Sequence, residues 1–218
     1  INKSNIMGFY RGPNIVTDGL VYAMDAGSER SYDGTTTLND LVGSNTGTLT
    51  NGVTYQSING GVFDFDGIDD YIDIGSQCPT GSFSLSSWVY KNGTGGWYAI
   101  FSAGTEIWFG LNSSGRILAH VGGPLFQVSN VVDINTWHNC VLTWDGTTAI
   151  IYVDGTEVAS SVGLDNPIAT GYDIGRLSTS PQNYFDGKIS NLLLYNAKAL
   201  TQAEVTQNYN AQKSRFGL

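Results

Sequence analysis

The sequence predicts an all-β protein, with two antiparallel sheets packed face to face in one domain and one short C-terminal helix. Three observations carry this. Residues 137–158 read W-H-N-C-V-L-T-W-D-G-T-T-A-I-I-Y-V-D-G-T-E-V, runs of β-branched and aromatic residues interrupted by two Asp-Gly pairs. Such runs suit a pleated, buried surface, and Asp-Gly supplies the positive φ angles of tight hairpins. The acidic residues divide as 15 Asp and 4 Glu; Asp favours turns and Glu favours helices, so the imbalance itself points to a loop-rich β protein. Strand-length apolar segments recur at even spacing, whereas a helix signature appears once, near the C-terminus.

Taken in order, residues 1–19 form an N-terminal arm ending in Gly-Pro and Asp-Gly punctuation, with Ile6, Met7, Phe9, Tyr10, Ile15 and Val16 apolar enough to seek burial. Residues 20–27 (L-V-Y-A-M-D-A-G) are the first strand, and 28–59 is a Thr/Gly/Asn-rich stretch expected to be looped or weakly stranded. Residues 62–66 alternate, with Phe63 and Phe65 on one face and Asp64 and Asp66 on the other. The turn Gly67-Ile68-Asp69-Asp70 leads into a strand at 71–74. In residues 82–90 the apolar phase slips between Leu85 and Trp88, which predicts a bulge or strong curvature. Strands follow at 98–102, 106–111, 116–121 and 125–128, then the central hairpins at 137–160, then 172–177 and 187–195. Thr201-Gln202-Ala203-Glu204 is a capping box that opens the single helix. No linker divides 20–210, and 211–218 is a tail.

Composition excludes several function classes. The net charge is −9 and the ten basic residues are scattered, so phosphate-backbone binding, which needs clustered Lys and Arg, is not expected. No apolar run reaches the ~20 residues that span a bilayer, and no charged-then-apolar leader opens the chain; Met7 is a candidate native start. Cys78 and Cys140 are too few for a disulfide framework. Cys140 sits in a strand and is read as a small buried residue, with a Cys78–Cys140 bridge as the alternative.

Five segments in order resemble the LamG-like domains of the concanavalin A-like lectin/glucanase group, a jelly-roll sandwich: G-L-V-Y-A-M-D-A-G at 19–27, F-D-F-D-G-I-D-D-Y-I-D-I at 63–74, F-S-L-S-S-W-V at 83–89, the 137–155 hairpins, and Y-F-D-G-K-I-S-N-L-L-L-Y-N-A-K-A-L-T-Q-A-E-V at 184–205. The opening Y-R-G-P-N-I-V-T-D-G-L and the ending N-Y-N-A-Q-K-S-R-F-G-L further resemble LamG-like structural proteins of tailed, particularly marine, phages. The resemblance implies a bound Ca²⁺ held by Asp25 and the 186–191 region, with Asp186 and Asn191 as ligands. Ser190 stands where many relatives carry Asp, which leaves Asp186 or Asn191 to compensate. The Asp66–Asp70 turn is a second acidic group, and its spacing is not that of an EF-hand; it reads as a turn capped by its own side chains.

No catalytic residue is assigned. A glucanase of this fold is expected to carry Glu-x-Asp-x-Glu on one strand, one carboxylate as nucleophile and one as acid about 5 Å apart. Glu29, Glu106, Glu157 and Glu204 are isolated from one another, which excludes that motif. The alternating pair Asp64 and Asp66 is read as facing solvent or binding a metal. His138 is read as structural. A sugar platform needs aromatic faces beside amides and hydroxyls. The candidates are Trp97 and Tyr98 after the 92–96 loop, Asn183 and Tyr184 near Pro181, and His120 before a Gly-Gly-Pro turn. Trp88, Trp137 and Trp144 are assigned to the core, and Trp108 is left open between core and surface.

The leading expectation is a non-enzymatic virion structural protein, either a capsid decoration or a host-attachment module. It would homo-oligomerise or join other virion proteins through its arms and could recognise a cell-surface glycan. The alternative is a calcium-dependent carbohydrate-binding adhesin or lectin domain, on a cell surface or secreted. A glycoside hydrolase or lyase ranks last. Neither nucleic acid nor membrane insertion is expected.

Overall fold

A computed structural model describes residues 13–75, 81–92, 96–112, 114–129, 131–162, 167, 171–179 and 183–218. Cys78 and the arm residues Ile6, Met7, Phe9 and Tyr10 lie outside these. The strands run β1 (Leu20–Asp25), β2 (Thr37–Asn39), β3 (Thr46–Thr50), β4 (Thr54–Gln56), β5 (Val62–Asp66), β6 (Tyr71–Gly75), β7 (Phe83–Lys91) and β8 (Trp97–Ala103). They continue with β9 (Ile107–Asn112), β10 (Ile117–Val121), β11 (Phe126–Val128), β12 (Trp137–Trp144), β13 (Thr148–Val153), β14 (Thr156–Val162), β15 (Tyr172–Ile174) and β16 (Asp186–Asn196). The helix α1 (Gln202–Gln212) and a 3₁₀ turn, Lys213–Phe216, close the chain. No helix among the described residues is long and apolar enough to cross a membrane.

The strands form two antiparallel sheets. The first is ordered β14-β13-β12-β7-β16-β5-β4, with β1 lying beside the second half of β16. The second is ordered β11-β10-β9-β8-β15-β6-β3-β2. Their inner faces make one core that includes Tyr22, Phe63, Phe65, Ile72, Leu85, Phe101, Phe109, Leu142 and Leu194. Within the segment expected to be loop or weak strand, β2, β3 and β4 are short. Buried Leu38 and Leu49 anchor β2 and β3 to the core.

The outer faces of the two sheets differ, and that difference decides where a ligand could sit. The first sheet is covered on its outside. Ile15, Val16, Leu20, Leu193, Tyr195, Leu200 and Val205 form a second apolar cluster there. Val16 N–H donates to Asn208 Oδ1, Tyr195 O–H donates to the Val16 carbonyl, and Gln207 Nε2 donates to the Asn14 carbonyl. The described arm residues and α1 therefore pack on their own sheet. In the tail, Phe216 stacks on Trp88 at 4.2 Å and meets Trp137 at 4.7 Å. Thr201 makes the full capping box with Glu204.

This cover explains β7. Residues 83–90 pair with β12 with no register shift, and the irregularity lies in β16, between Ile189 and Asn191. Leu85 points inward and Trp88 outward, and both are buried because both faces of the sheet are covered. Strict alternation over two buried faces looks like a phase slip when only one core is assumed. Among the described residues the second sheet has no comparable cover: Thr37, Thr48 and Asp73 on its outer face are exposed.

Candidate functional site

On the outer face of the second sheet, strand registers place one residue from each of seven strands in a single row, exposed at Thr37, Thr48 and Asp73, half-buried at Trp108 and His120, and buried at Asp173 and Ser102. Thr37 pairs with Thr48, Thr48 with Asp73, Asp73 with Asp173, Asp173 with Ser102, Ser102 with Trp108, and Trp108 with His120. Neighbouring strands lie about 4.8 Å apart, so the row extends roughly 29 Å across the strands. All seven side chains point away from the core, because their strand neighbours, such as Ile72, Ile74, Ile174 and Phe109, point into it.

The middle of the row is pre-organised. Arg176 Nε donates to Asp173 Oδ2 at 2.9 Å, and its guanidinium carbon sits 3.4 Å from the centre of the Tyr71 ring. Ser102 Oγ donates to the Arg176 carbonyl and accepts from the Ser178 N–H, both at 2.9 Å. Asp73 accepts its own turn's Gly75 N–H at 2.8 Å. Around these groups lies a pocket of about 400 Å³, lined by Asp73, Thr105, Asp173, Arg176, Ser178 and Thr179 among others. Burial raises the Asp173 carboxyl above the usual carboxylate range; the Arg176 bond and charge pull it down, and Asp73 across the strand pair pushes it up. The carboxylate thus sits in a poorly solvated place with one counter-ion, an arrangement suited to accepting hydrogen bonds from ligand hydroxyls.

The far end of the row is aromatic. Trp108 packs 6.0 Å from Trp97, with the rings inclined at 60°. The two indoles lean together over Gly110, where an added Cβ would come within 3.2 Å of Trp108 Nε1 and 2.3 Å of the Tyr98 carbonyl. Only glycine leaves room for this arrangement.

The residues expected to bind sugar separate accordingly. Trp97, 37% exposed, and half-buried His120 lie on this face. Tyr98 does not: it is the next residue on β8, so alternation turns it into the core, beside Phe185 and buried Lys91. Asn183 holds the β8 edge through its carbonyl, which accepts the Ala99 N–H at 3.0 Å, and Tyr184 lies within electrostatic reach of Arg176. Sequence reasoning missed Tyr71, Asp73, Ser102, Asp173 and Arg176. The alternations Ile72-Asp73-Ile74 and Tyr172-Asp173-Ile174 carried the outward direction, but the register that aligns them across strands has no local signal.

The expected calcium ligands are brought together only in part. Asp25 pairs with Asn191, whereas Asp186 pairs with Asp66 five residues away along β16, about 16 Å at strand rise. The Asn191 Oδ1 accepts the Trp88 N–H, and both Asp25 oxygens are bonded by Arg215. This set does not fit a metal ion as it stands. Asp66, Asp69 and Asp70 offer carboxylate oxygens within 4.8 Å of one another. Asp66 Oδ1 accepts the Ile68 N–H and Asp70 Oδ2 the Asp66 N–H, the self-capped turn that the spacing suggested. Asp64 is paired with Lys188 at 3.1 Å. His138, at the start of β12, bonds Asp154 of the β13–β14 turn at 2.7 Å, and Cys140 is a buried free thiol.

Comparisons with known proteins agree on the fold. The family model described as "Concanavalin A-like lectin/glucanases superfamily" matches residues 66–206. Domain 4 of AbnA, a GH43 extracellular arabinanase from Geobacillus stearothermophilus solved with arabinotriose, superposes with a TM-score of 0.71 at 17% identity, covering 87% of this chain and 98% of that one. Trypanosoma rangeli sialidase in complex with sialic acid gives 0.71 at 15% identity, over 94% of this chain and 36% of the sialidase. The binding domain of botulinum neurotoxin serotype G gives 0.69 at 18% identity, over 87% and 50%. This chain therefore spans about a third of the sialidase and half of the toxin domain. No curated protein sequence matches significantly.

Proposed function

We propose that this chain, which belongs to the concanavalin A-like lectin/glucanases superfamily, is a non-catalytic glycan-binding module whose ligand lies along the Asp73–His120 row. The observation that carries this is the in-register line on the outer face of the second sheet, with exposed Asp73 and half-buried Trp108 and His120 flanking the buried Asp173 and Ser102 beside the Arg176 pocket. The pocket at Asp173 and Arg176 would take one sugar through its hydroxyls, and Trp108 with Trp97 would stack on a second. A row of about 29 Å suits an oligosaccharide rather than a monosaccharide. The virion setting, as capsid decoration or attachment module, rests on the 10–20 and 208–218 motifs alone. In that setting the partners would be a cell-surface glycan, neighbouring copies of the chain and other virion proteins.

One observation favours hydrolysis as a second reading: Asp73 and Asp173 face each other across β6 and β15, and the Asp173 carboxyl is raised, as a general acid's would be. Its ion pair with Arg176 argues for a carboxylate held to bind rather than to donate a proton. The test is a glycan array probed with purified protein, followed by reducing-end analysis of each bound glycan after prolonged incubation. Binding without cleavage supports the module; release of reducing ends would move the chain to the hydrolases.

A further inference from the structure

The tail brings a guanidinium into a pocket of oxygen atoms. Arg215 Nη1 donates to Asp25 Oδ1 at 2.8 Å and to Oδ2 at 2.9 Å, Nη2 donates to the Gly61 carbonyl at 2.6 Å, and Nε donates to the Asn59 carbonyl. The Arg215 and Asp25 side chains are 10% and 9% exposed. Two carboxylate and two main-chain carbonyl oxygens thus converge on one positive group. These are hard donors of the kind that a calcium ion takes, with a bidentate carboxylate among them.

The surrounding backbone is built for this convergence. A Cβ on Gly27 would lie 1.9 Å from the Gly60 carbonyl oxygen and 2.8 Å from Arg215 Nη2, and one on Gly61 would lie 2.5 Å from the Gly27 Cα. The two glycine segments must therefore touch to present the carbonyls. Asn59 takes a positive φ of 48°, donates from Nδ2 to the Arg215 carbonyl and accepts the Trp137 indole N–H. Phe216, the next residue, is clamped between Trp88 and Trp137.

We infer that Arg215 is the resident cation of this site, a tethered positive charge standing where a divalent metal ion would otherwise bind. The guanidinium satisfies every oxygen named and is anchored by the Phe216 stack, so an ion would have to displace a covalently attached competitor. The domain's stability is consequently independent of calcium, and deleting the guanidinium exposes a latent divalent-cation site.

The test is thermal melting of the full chain in millimolar calcium chloride and in EDTA, for the wild type, Arg215→Ala, and Arg215→Ala combined with Asp25→Asn. The wild type is expected to melt at one temperature in both solutions. Arg215→Ala should melt several degrees lower in EDTA and recover much of the loss in calcium, and the double variant should recover nothing. Should Arg215→Ala not accumulate as folded protein, refolding from urea reads the same property. Recovery only with calcium supports the inference, and failure in both solutions overturns it. Indifference of a folded Arg215→Ala to calcium overturns it too, as does a calcium-dependent rise of the wild type that Asp25→Asn removes.

Discussion

Replacing Arg176 by alanine removes the one positive group that faces Asp173 in the pocket. The Asp173 side chain is 5% exposed and that of Arg176 23%. Deleting one member of a buried pair costs about 3–5 kcal/mol, because the other charge is left uncompensated. Water can enter the space the guanidinium leaves, so the expected loss is about 2–3 kcal/mol. Roughly 0.5–1 kcal/mol of that is the cation–π contact with Tyr71. Urea unfolding at pH 7 of Arg176→Ala, Asp173→Asn and the double variant measures it. The double variant should return to within about 1 kcal/mol of the wild type, because no stranded carboxylate remains. The pH dependence has a definite sign. A carboxyl raised in the folded state contributes its full stability below the unfolded value and loses it as pH rises through the folded value. The Arg176→Ala deficit should therefore shrink as the solution is acidified. A loss under about 0.5 kcal/mol, or a double variant no better than Arg176→Ala alone, would refute the pairing argument.

Phe216→Ala empties the slot between Trp88 and Trp137 and should cost about 3–4 kcal/mol by scanning calorimetry; a loss under ~1 kcal/mol would mean that the tail does not hold the sheet. Asp70 is buried with Oδ1 unpartnered, and burial, then Asp66, Asp69 and Asp64, raise its carboxyl. Asp70→Asn should thus gain stability relative to the wild type as pH rises from acid to neutral, by on the order of 1 kcal/mol. Urea midpoints across that range would show it, and a constant difference would contradict it. Thr201→Ala breaks the capping box and should lower stability by about 1 kcal/mol, whereas Thr201→Ser should nearly preserve it.

Much of the fold was legible because it is local. Asp-Gly turns set the β12–β13–β14 hairpins, alternation set β5 and β6, and the Thr201 box set α1. Trp88 is buried as assigned, but its phase was misread as a bulge, because it makes sense only once α1 and the tail cover the outside of the first sheet there. The candidate site was legible only in fragments. Trp97 and His120 could be nominated from loops and turns, but Asp73, Asp173 and the Ser102–Trp108 pair come from separate parts of the sequence and meet through register across three strand pairings. The search for paired carboxylates on one strand could not find a pair made across two. Arg215 carried no signal either, since nothing local to the tail says that it reaches Asp25.

The most direct test of the binding account is calorimetric titration of the strongest array glycan into the wild type, Trp108→Ala and Ile68→Ala. Ile68 is 73% exposed and off the row. The account predicts at least a tenfold loss of affinity, about 1.4 kcal/mol, for Trp108→Ala and none for Ile68→Ala. Equal affinities in all three proteins would place the glycan elsewhere and contradict the assignment of the row.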